Sequence, residues 1–277
     1  MTEKLCDQRG KIYDLADKRD PCTIIATFEV KKGNLRSMRT LSQDQRKVFA
    51  EQGYVVIPQV APRNLIENAR EEIKRLVTQN PPPSGHKGFH FYFLNDLPKP
   101  LLDLLTESPA MGVAESLVAP NKLGMPEQVQ VSLIIPPWPH KPGGPHIDGL
   151  TPPEKDGRPG TFSMLAGIFL TDQSSEDMGN LYVWPRSHRS CAEYFREHGP
   201  DALGMSAPYP PVLLGTPRQV LGQTGDLVLA HYMLGHNMGG NKSEVTREVV
   251  YFRLRRENHR EHWRRFVQDE LYELALI

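Results

Sequence analysis

The chain has 277 residues, room for one or two domains, and its 33 basic and 33 acidic side chains give a formal net charge of zero. Without a charge surplus nothing draws it globally to nucleic acid or an anionic membrane, and 39% hydrophobic with 24% charged residues excludes disorder throughout. Cys6, Cys22 and Cys191 form no CxxC pair and no disulfide framework. No apolar run approaches the ~18 residues of a membrane span, and the charged start Met1-Thr2-Glu3-Lys4 lacks a signal-peptide core. Together these predict a cytoplasmic protein with reduced thiols.

Residues 1–40 show no sustained hydrophobic period and are expected to be an N-terminal extension, with one domain over 41–277. Ser42 with Gln45 three positions on predicts a capped helix that stops at Gly53, and Tyr54–Ile57 then reads as a strand. Leu65, Ile66, Ala69, Ile73, Leu76 and Val77 make the apolar stripe of a helix between Pro62 and Asn80. Pro81-Pro82-Pro83 ends it and predicts an aromatic loop from His86 to Asn95, followed by a helix over 101–117. From Gln128 the texture becomes β: Val129–Ile135, Met164–Thr171, Leu181–Trp184, Asp226–His231 and Glu248–Leu254 are short strand runs between Pro- and Gly-rich loops. That spacing suggests a sandwich or barrel rather than βαβ units. The stretch 258–277 reads as helical.

Ten histidines are present, and His146-Ile147-Asp148 stands out among them. On a strand, side chains at i and i+2 project from one face about 7 Å apart, so a nitrogen and a carboxylate oxygen can occupy neighbouring positions on one metal. Completed by a distant histidine, such a pair makes the two-histidine, one-carboxylate face of non-haem Fe(II) oxygenases, which leaves positions open for cosubstrate and O2. Downstream, an apolar run leads through His231 to His236 in a turn rich in Gly and Asn, and Arg247 follows eleven positions later. A guanidinium there suits a carboxylate held in two hydrogen bonds.

These segments, taken together and in order, resemble the phytanoyl-CoA dioxygenase family of Fe(II)/2-oxoglutarate-dependent oxygenases. FAEQGYVVIPQV (49–60) resembles the family's N-terminal signature, PHIDG (145–149) its HxD box, and GNLYVWPRSH (179–188) its G-x-L-x-x-x-P-G-S-H segment. GDLVLAHYMLGHNMGGN (225–241) followed by Arg247 resembles its distal histidine and cosubstrate-binding arginine. The resemblance implies a mainly β fold, a double-stranded β-helix (jelly-roll or cupin-like) core with flanking α-helices. It implies His146, Asp148 and His236 as catalytic Fe(II) ligands, with Arg247 and, on the preceding strand, Gln130 binding 2-oxoglutarate. The implied reaction couples oxidation of a small-molecule substrate, usually hydroxylation, to decarboxylation of 2-oxoglutarate to succinate and CO2, with O2 consumed. Asp148 is intact where halogenating relatives carry a small residue, which speaks against halogenation. Two positions depart from the pattern: Arg186 replaces the glycine of PGSH, and Met238 stands where relatives often carry a serine.

Plainer readings stand beside these. His231 is a rival distal ligand, but five residues before His236 it would face the other side of a continuous strand. His188 reads as a structural hydrogen-bonder, His86 and His90 as loop residues, and His259 and His262 as exposed on a charged helix. Arg253, Arg255 and Arg256 read as a solvated strand end, and Trp138 as the tryptophan best placed for a site role. The substrate is expected to be held by loops 84–100, 138–162 and 186–215, and Phe89, Phe91, Tyr92 and Phe93 favour one that is partly apolar. Two alternatives remain at this level: a metal-binding jelly roll with a sensing or structural role, and a dioxygenase that does not use 2-oxoglutarate.

Overall fold

The computed structural model describes residues 4–6, 12–14, 40–149 and 153–275. The expected N-terminal extension therefore lies almost wholly outside the described residues. Among the described residues, eleven strands and six α-helices occur in the order β1 (Lys4–Cys6), β2 (Ile12–Asp14), α1 (Gln43–Gln52), β3 (Tyr54–Ile57), α2 (Arg63–Gln79), β4 (Gly88–Leu94), α3 (Lys99–Thr106), α4 (Ala110–Glu115), β5 (Val129–Ile135), β6 (Met164–Phe169), β7 (Leu181–Val183), α5 (Ser187–His198), β8 (Arg218–Gln219), β9 (Leu227–His231), β10 (His236–Met238), β11 (Arg247–Leu254) and α6 (His259–Gln268).

Six strands form an antiparallel sheet in the order β3-β9-β6-β11-β5-β4, and a smaller sheet runs β10-β7-β8. A bridge between His146 and His236 extends the small sheet by the segment that carries the HxD box. The two sheets face each other, which is the jelly-roll arrangement the family resemblance implies. Each large-sheet strand divides its residues by the two-residue period. On β11, Val250, Phe252 and Leu254 pack outward into the core shared with α2, α3 and α4. Arg247, Val249, Tyr251 and Arg253 therefore face inward, toward the small sheet. The same alternation on β5 sends Val129, Val131 and Leu133 to the helices and leaves Gln130, Ser132 and Ile134 facing inward.

The helix α1 has the predicted capping box between Ser42 and Gln45 and ends at Gly53. Several elements differ from expectation. The region 86–95 is largely a strand, β4, paired residue for residue with β5; its flanking Pro and Gly hid an aromatic run that suits a pleated edge. The helix expected over 101–117 breaks into α3 and α4, because Pro109 forces its predecessor out of the helical region. Most of the region 186–215 is helical rather than loop, through α5 and a 3-10 turn at Pro200–Met205. The C-terminal helix closes at Gln268. No helix among the described residues is long and apolar enough to cross a membrane.

Candidate active site

Two neighbouring strands and one turn assemble the centre. The backbone N–H of His146 donates to the His236 carbonyl at 3.0 Å, which sets the two imidazoles side by side with ring centroids 4.4 Å apart. Asp148, two residues beyond His146, brings its Oδ1 to 3.4 Å from His146 Nε2 and 3.8 Å from His236 Nε2. One ligand atom from each of the three lies within 4.8 Å of the others. Neighbouring ligands about 2.1 Å from an octahedral ion stand about 3 Å apart, so a small inward shift closes this set around one metal.

The ring orientations suit that role. His236 Nδ1–H donates to the Leu234 carbonyl at 2.9 Å, which directs Nε2 toward Asp148. Burial alone would raise the Asp148 carboxyl, but hydrogen bonds from His146 and His236, with the Arg253 charge, hold it well below the usual range. Burial and the neighbouring His236 lower His146, whereas for His236 burial, the largest single effect, is outweighed by the bond to Asp148, its charge and the Leu234 carbonyl together, which raise it.

The structure turns the rival histidine away. His231 is buried, with Nε2 donating to the Glu270 carbonyl at 3.0 Å and Nδ1 accepting from the Met233 N–H. His188 is likewise structural, donating from Nε2 to the Ala50 carbonyl at 3.2 Å. His86 Nε2 meets the Phe89 carbonyl at the start of β4. His259 contradicts its expected exposure: it is 1% exposed and its Nδ1 lies 2.9 Å from Glu273 Oε1. The cause is that the C-terminal turns after α6 fold Glu273 back onto it, while Ser163 also donates to Glu273.

Arg247 begins β11 and is 2% exposed. Its Nη1 donates to Ser132 Oγ at 2.7 Å, Nη2 to Tyr251 Oη at 2.6 Å and Nε to Gln173 Oε1 at 3.2 Å. All three partners are neutral, and among the described residues no carboxylate pairs with this buried cation. The Gln173 Nε2, on the side chain that accepts from Arg247, is a buried donor with no partner. A buried guanidinium without a counter-charge, beside an unpaired donor, fits the carboxylate of a ligand. Gln130 sits opposite Tyr251 in the sheet register and on the same inner face. That register also explains Gly167, opposite Tyr251 on β6: a Cβ there would overlap the Tyr251 ring.

Sequence reasoning missed Ser132, Gln173 and Tyr251, and it misread Arg253. Far from being solvated, Arg253 donates from Nη2 to Asp148 Oδ2 at 3.0 Å and from Nη1 to Gln128 Oε1 at 3.3 Å. Arg255 bonds the Thr161 carbonyl, Glu127 and Glu154, and Arg256 lies 3.7 Å from the buried Glu273. A two-residue period starting from Arg247 would have placed Tyr251 and Arg253 on its face, but their partners come from distant segments.

The model of the family described as phytanoyl-CoA dioxygenase matches residues 49–249. The chain belongs to the phytanoyl-CoA dioxygenase family. It is therefore an enzyme, an oxidoreductase of the iron- and 2-oxoglutarate-dependent class. Solved structures agree in fold: HygX from Streptomyces hygroscopicus with nickel and 2-oxoglutarate bound aligns with a TM-score of 0.53 at 20% identity, over 77% of this chain and 86% of that one. The carbocyclase SnoK from nogalamycin biosynthesis aligns at 0.57 and 19%, over 80% and 87%. EctD from S. alaskensis, with 2-oxoglutarate and 5-hydroxyectoine, aligns at 0.52 and 16%, over 79% and 78%. Direct sequence comparison with curated proteins finds no match.

Within the phytanoyl-CoA dioxygenase family pattern, the two departures have visible settings. Arg186, in place of the PGSH glycine, adopts a left-handed backbone at φ 69°, the conformation a glycine takes without cost. Met238 lies two residues after His236 on β10 and shares its inner face.

Proposed function

We propose that His146, Asp148 and His236 hold Fe(II), and that Arg247 pairs with the distal carboxylate of 2-oxoglutarate, with Gln130 as a further polar contact. Residues 41–277 are taken as one oxygenase domain, acting on a small-molecule substrate. The observation that carries this reading is the buried Arg247, hydrogen-bonded among the described residues to three neutral groups, on the same inner face as Arg253, the partner of Asp148. With iron, 2-oxoglutarate and O2 bound, the site supplies oxidative decarboxylation: one oxygen atom ends in succinate, with CO2 released, and the other enters the substrate as a hydroxyl.

The chain's own residues define how that chemistry is held. Asp148 stays ionised and His236 is fixed in the tautomer that offers Nε2, so the donor set is two nitrogens and one anionic oxygen. Such a set would neutralise half of a divalent ion's charge. Ser132, Tyr251 and Gln173 fix the plane of the Arg247 guanidinium, so the carboxylate meets a fork already aligned, and its burial keeps water from competing. HygX with nickel and 2-oxoglutarate, and the epimerase SnoN with Fe3+ and alpha ketoglutarate, share the fold, which supports the assignment.

The test is an anaerobic titration of the apoprotein with Fe(II) and then 2-oxoglutarate, following the visible metal-to-ligand charge-transfer band. The expected result is a band in the native protein that is lost in Asp148→Ala and weakened in Arg247→Ala. Iron binding without a band would overturn the cosubstrate assignment. No iron binding would overturn the ligand assignment.

A further inference from the structure

The inner face of the large sheet continues past the catalytic strands onto its outermost strand, β4. Register places Phe93 opposite Gln130, which is opposite Tyr251, and Phe91 opposite Ser132, which is opposite Val249. Residues paired directly across antiparallel strands share a face, so Phe89, Phe91 and Phe93 face the same side as the Arg247 cradle. Tyr92 faces the core and is 9% exposed, whereas Phe89 and Phe93 are 47% and 50% exposed. Large apolar rings left open in a row on an inward-facing wall mark a surface that something covers.

The strip has a shape. Phe93, Phe91, Phe89 and Trp138 follow one another with centroid spacings of 5.9, 5.5 and 5.9 Å. Phe89 and Phe91 lie within 26° of parallel, and Trp138 stacks on His140 at 4.2 Å and 9°. These two flat pairs meet at 66°. Gly88 permits that corner, because a Cβ there would run into the Trp138 ring. A corner of two aromatic walls holds a planar ring by its face on one side and by its edge on the other; a flexible chain gains nothing from the angle.

The far end of the strip leads to the metal ligands. Continuing the two-residue period from Phe93 reaches Asn95, whose Oδ1 accepts from Gln128 Nε2 at 2.9 Å, and Gln128 in turn accepts from Arg253, the partner of Asp148. A cavity of about 520 Å³ opens there, bordered by Asn95, Gln128, Glu127, Glu154 and Arg253. That volume fits a drug-sized ligand, and its lining is polar where the strip is apolar.

We infer that the β4 strip with Trp138 is the substrate wall of this enzyme, and that the substrate is a planar fused-ring molecule carrying hydroxyl or other hydrogen-bonding groups at the end to be oxidised. The inference rests on the assignment of His146, Asp148 and His236 as the reaction centre, from which the cavity takes its meaning.

The probe is 1-hydroxypyrene, followed by fluorescence anisotropy against the native protein and Phe89→Ser/Phe93→Ser, with 1-dodecanol as an aliphatic competitor. The Fe(II)·2-oxoglutarate band reports in each protein whether the fold and centre are intact. The expected result is saturable pyrene binding that weakens at least tenfold in the double variant, with the band retained and little competition from dodecanol. Efficient competition by dodecanol would overturn the fused-ring class. Absence of pyrene binding, with a native dimer in sedimentation that the double variant splits, would overturn the wall and make the strip a contact between two copies. A native protein that binds pyrene but gives no band would overturn the reaction centre, and with it the claim that the wall serves a substrate.

Discussion

Arg253 Nη2 donates to Asp148 Oδ2 at 3.0 Å, on the carboxylate oxygen opposite the one that faces the two histidines. The bond fixes the carboxylate plane and neutralises a charge that would otherwise be costly at so enclosed a position. Arg253→Leu is expected to lower Fe(II) or Co(II) affinity roughly 10- to 100-fold, the range typical for partners of metal ligands. Arg253→Lys should restore part of it. Anaerobic metal titration measures both, and unchanged affinity in the leucine variant would show that Asp148 is oriented without it.

The space over Gly167 belongs to Tyr251, whose hydroxyl accepts from Arg247. Gly167→Ala should cost about 1–3 kcal/mol by overpacking and should also weaken 2-oxoglutarate binding by tilting the ring. Tyr251→Phe removes the acceptor without the clash and leaves a buried donor unpaired, at a cost of about 1–3 kcal/mol. Chemical unfolding separates the two effects from the loss of cosubstrate affinity. An alanine variant with native stability and native 2-oxoglutarate affinity would contradict the packing account.

Burial lowers His188 from 6.5 to about 4, against a hydrogen bond to the Ala50 carbonyl that favours its charged form. Its Nδ1 is buried with no partner, so the proton would arrive where nothing accepts it. In the unfolded chain the ring takes up a proton near pH 6.5, and the folded chain resists until about pH 4. Stability is therefore unaffected above that window and falls as pH falls through it, by about 2 kcal/mol between pH 7.5 and 5 at 1.36 kcal/mol per unit. Urea unfolding at the two pH values should show that loss, and His188→Gln should reduce it. Equal pH slopes in the two proteins would locate the acid sensitivity elsewhere.

Arg186 holds a left-handed backbone at φ 69° with an exposed side chain. Such a conformation costs a non-glycine residue about 1–2 kcal/mol, partly offset in a glycine variant by the freer unfolded chain. Arg186→Gly is accordingly expected to raise the melting temperature by a few degrees, read by calorimetry, without changing iron affinity. A lower melting temperature would mean that the arginine side chain contributes more than its backbone costs.

Much of this architecture was legible because it rests on local pattern. The HxD pair needs only two residues of spacing at the step from a bridge into a turn, the capping box of α1 spans four residues, and the apolar strands declare their cores. The parts that escaped rest on partners far apart in sequence. Arg253 looks like a charged strand end until Asp148, 105 residues away, is brought to it. His259 looks exposed until Glu273 folds back. The strand β10, three residues of which only Met238 is apolar, has no hydrophobic signal of its own and exists because β7 pairs with it. The aromatic residues of β4 were visible in composition, but their direction came only from the register with β5.

The alternation along β11 makes that strand a two-track tape. One track, Val250, Phe252 and Leu254, glues the sheet to the helices; the other lays Arg247, Tyr251 and Arg253 along the inner face, from the Ser132 and Gln173 contacts at one end to Asp148 at the other. Because the tracks interleave residue by residue, a one-residue slip exchanges them: leucine and phenylalanine would turn to the inner face, and both arginines would be driven into the apolar core. Deleting a single residue within β11 thus removes the buried guanidinium, the partner of Asp148 and the core seam in one step. The strand can drift in sequence by substitution, but hardly in length.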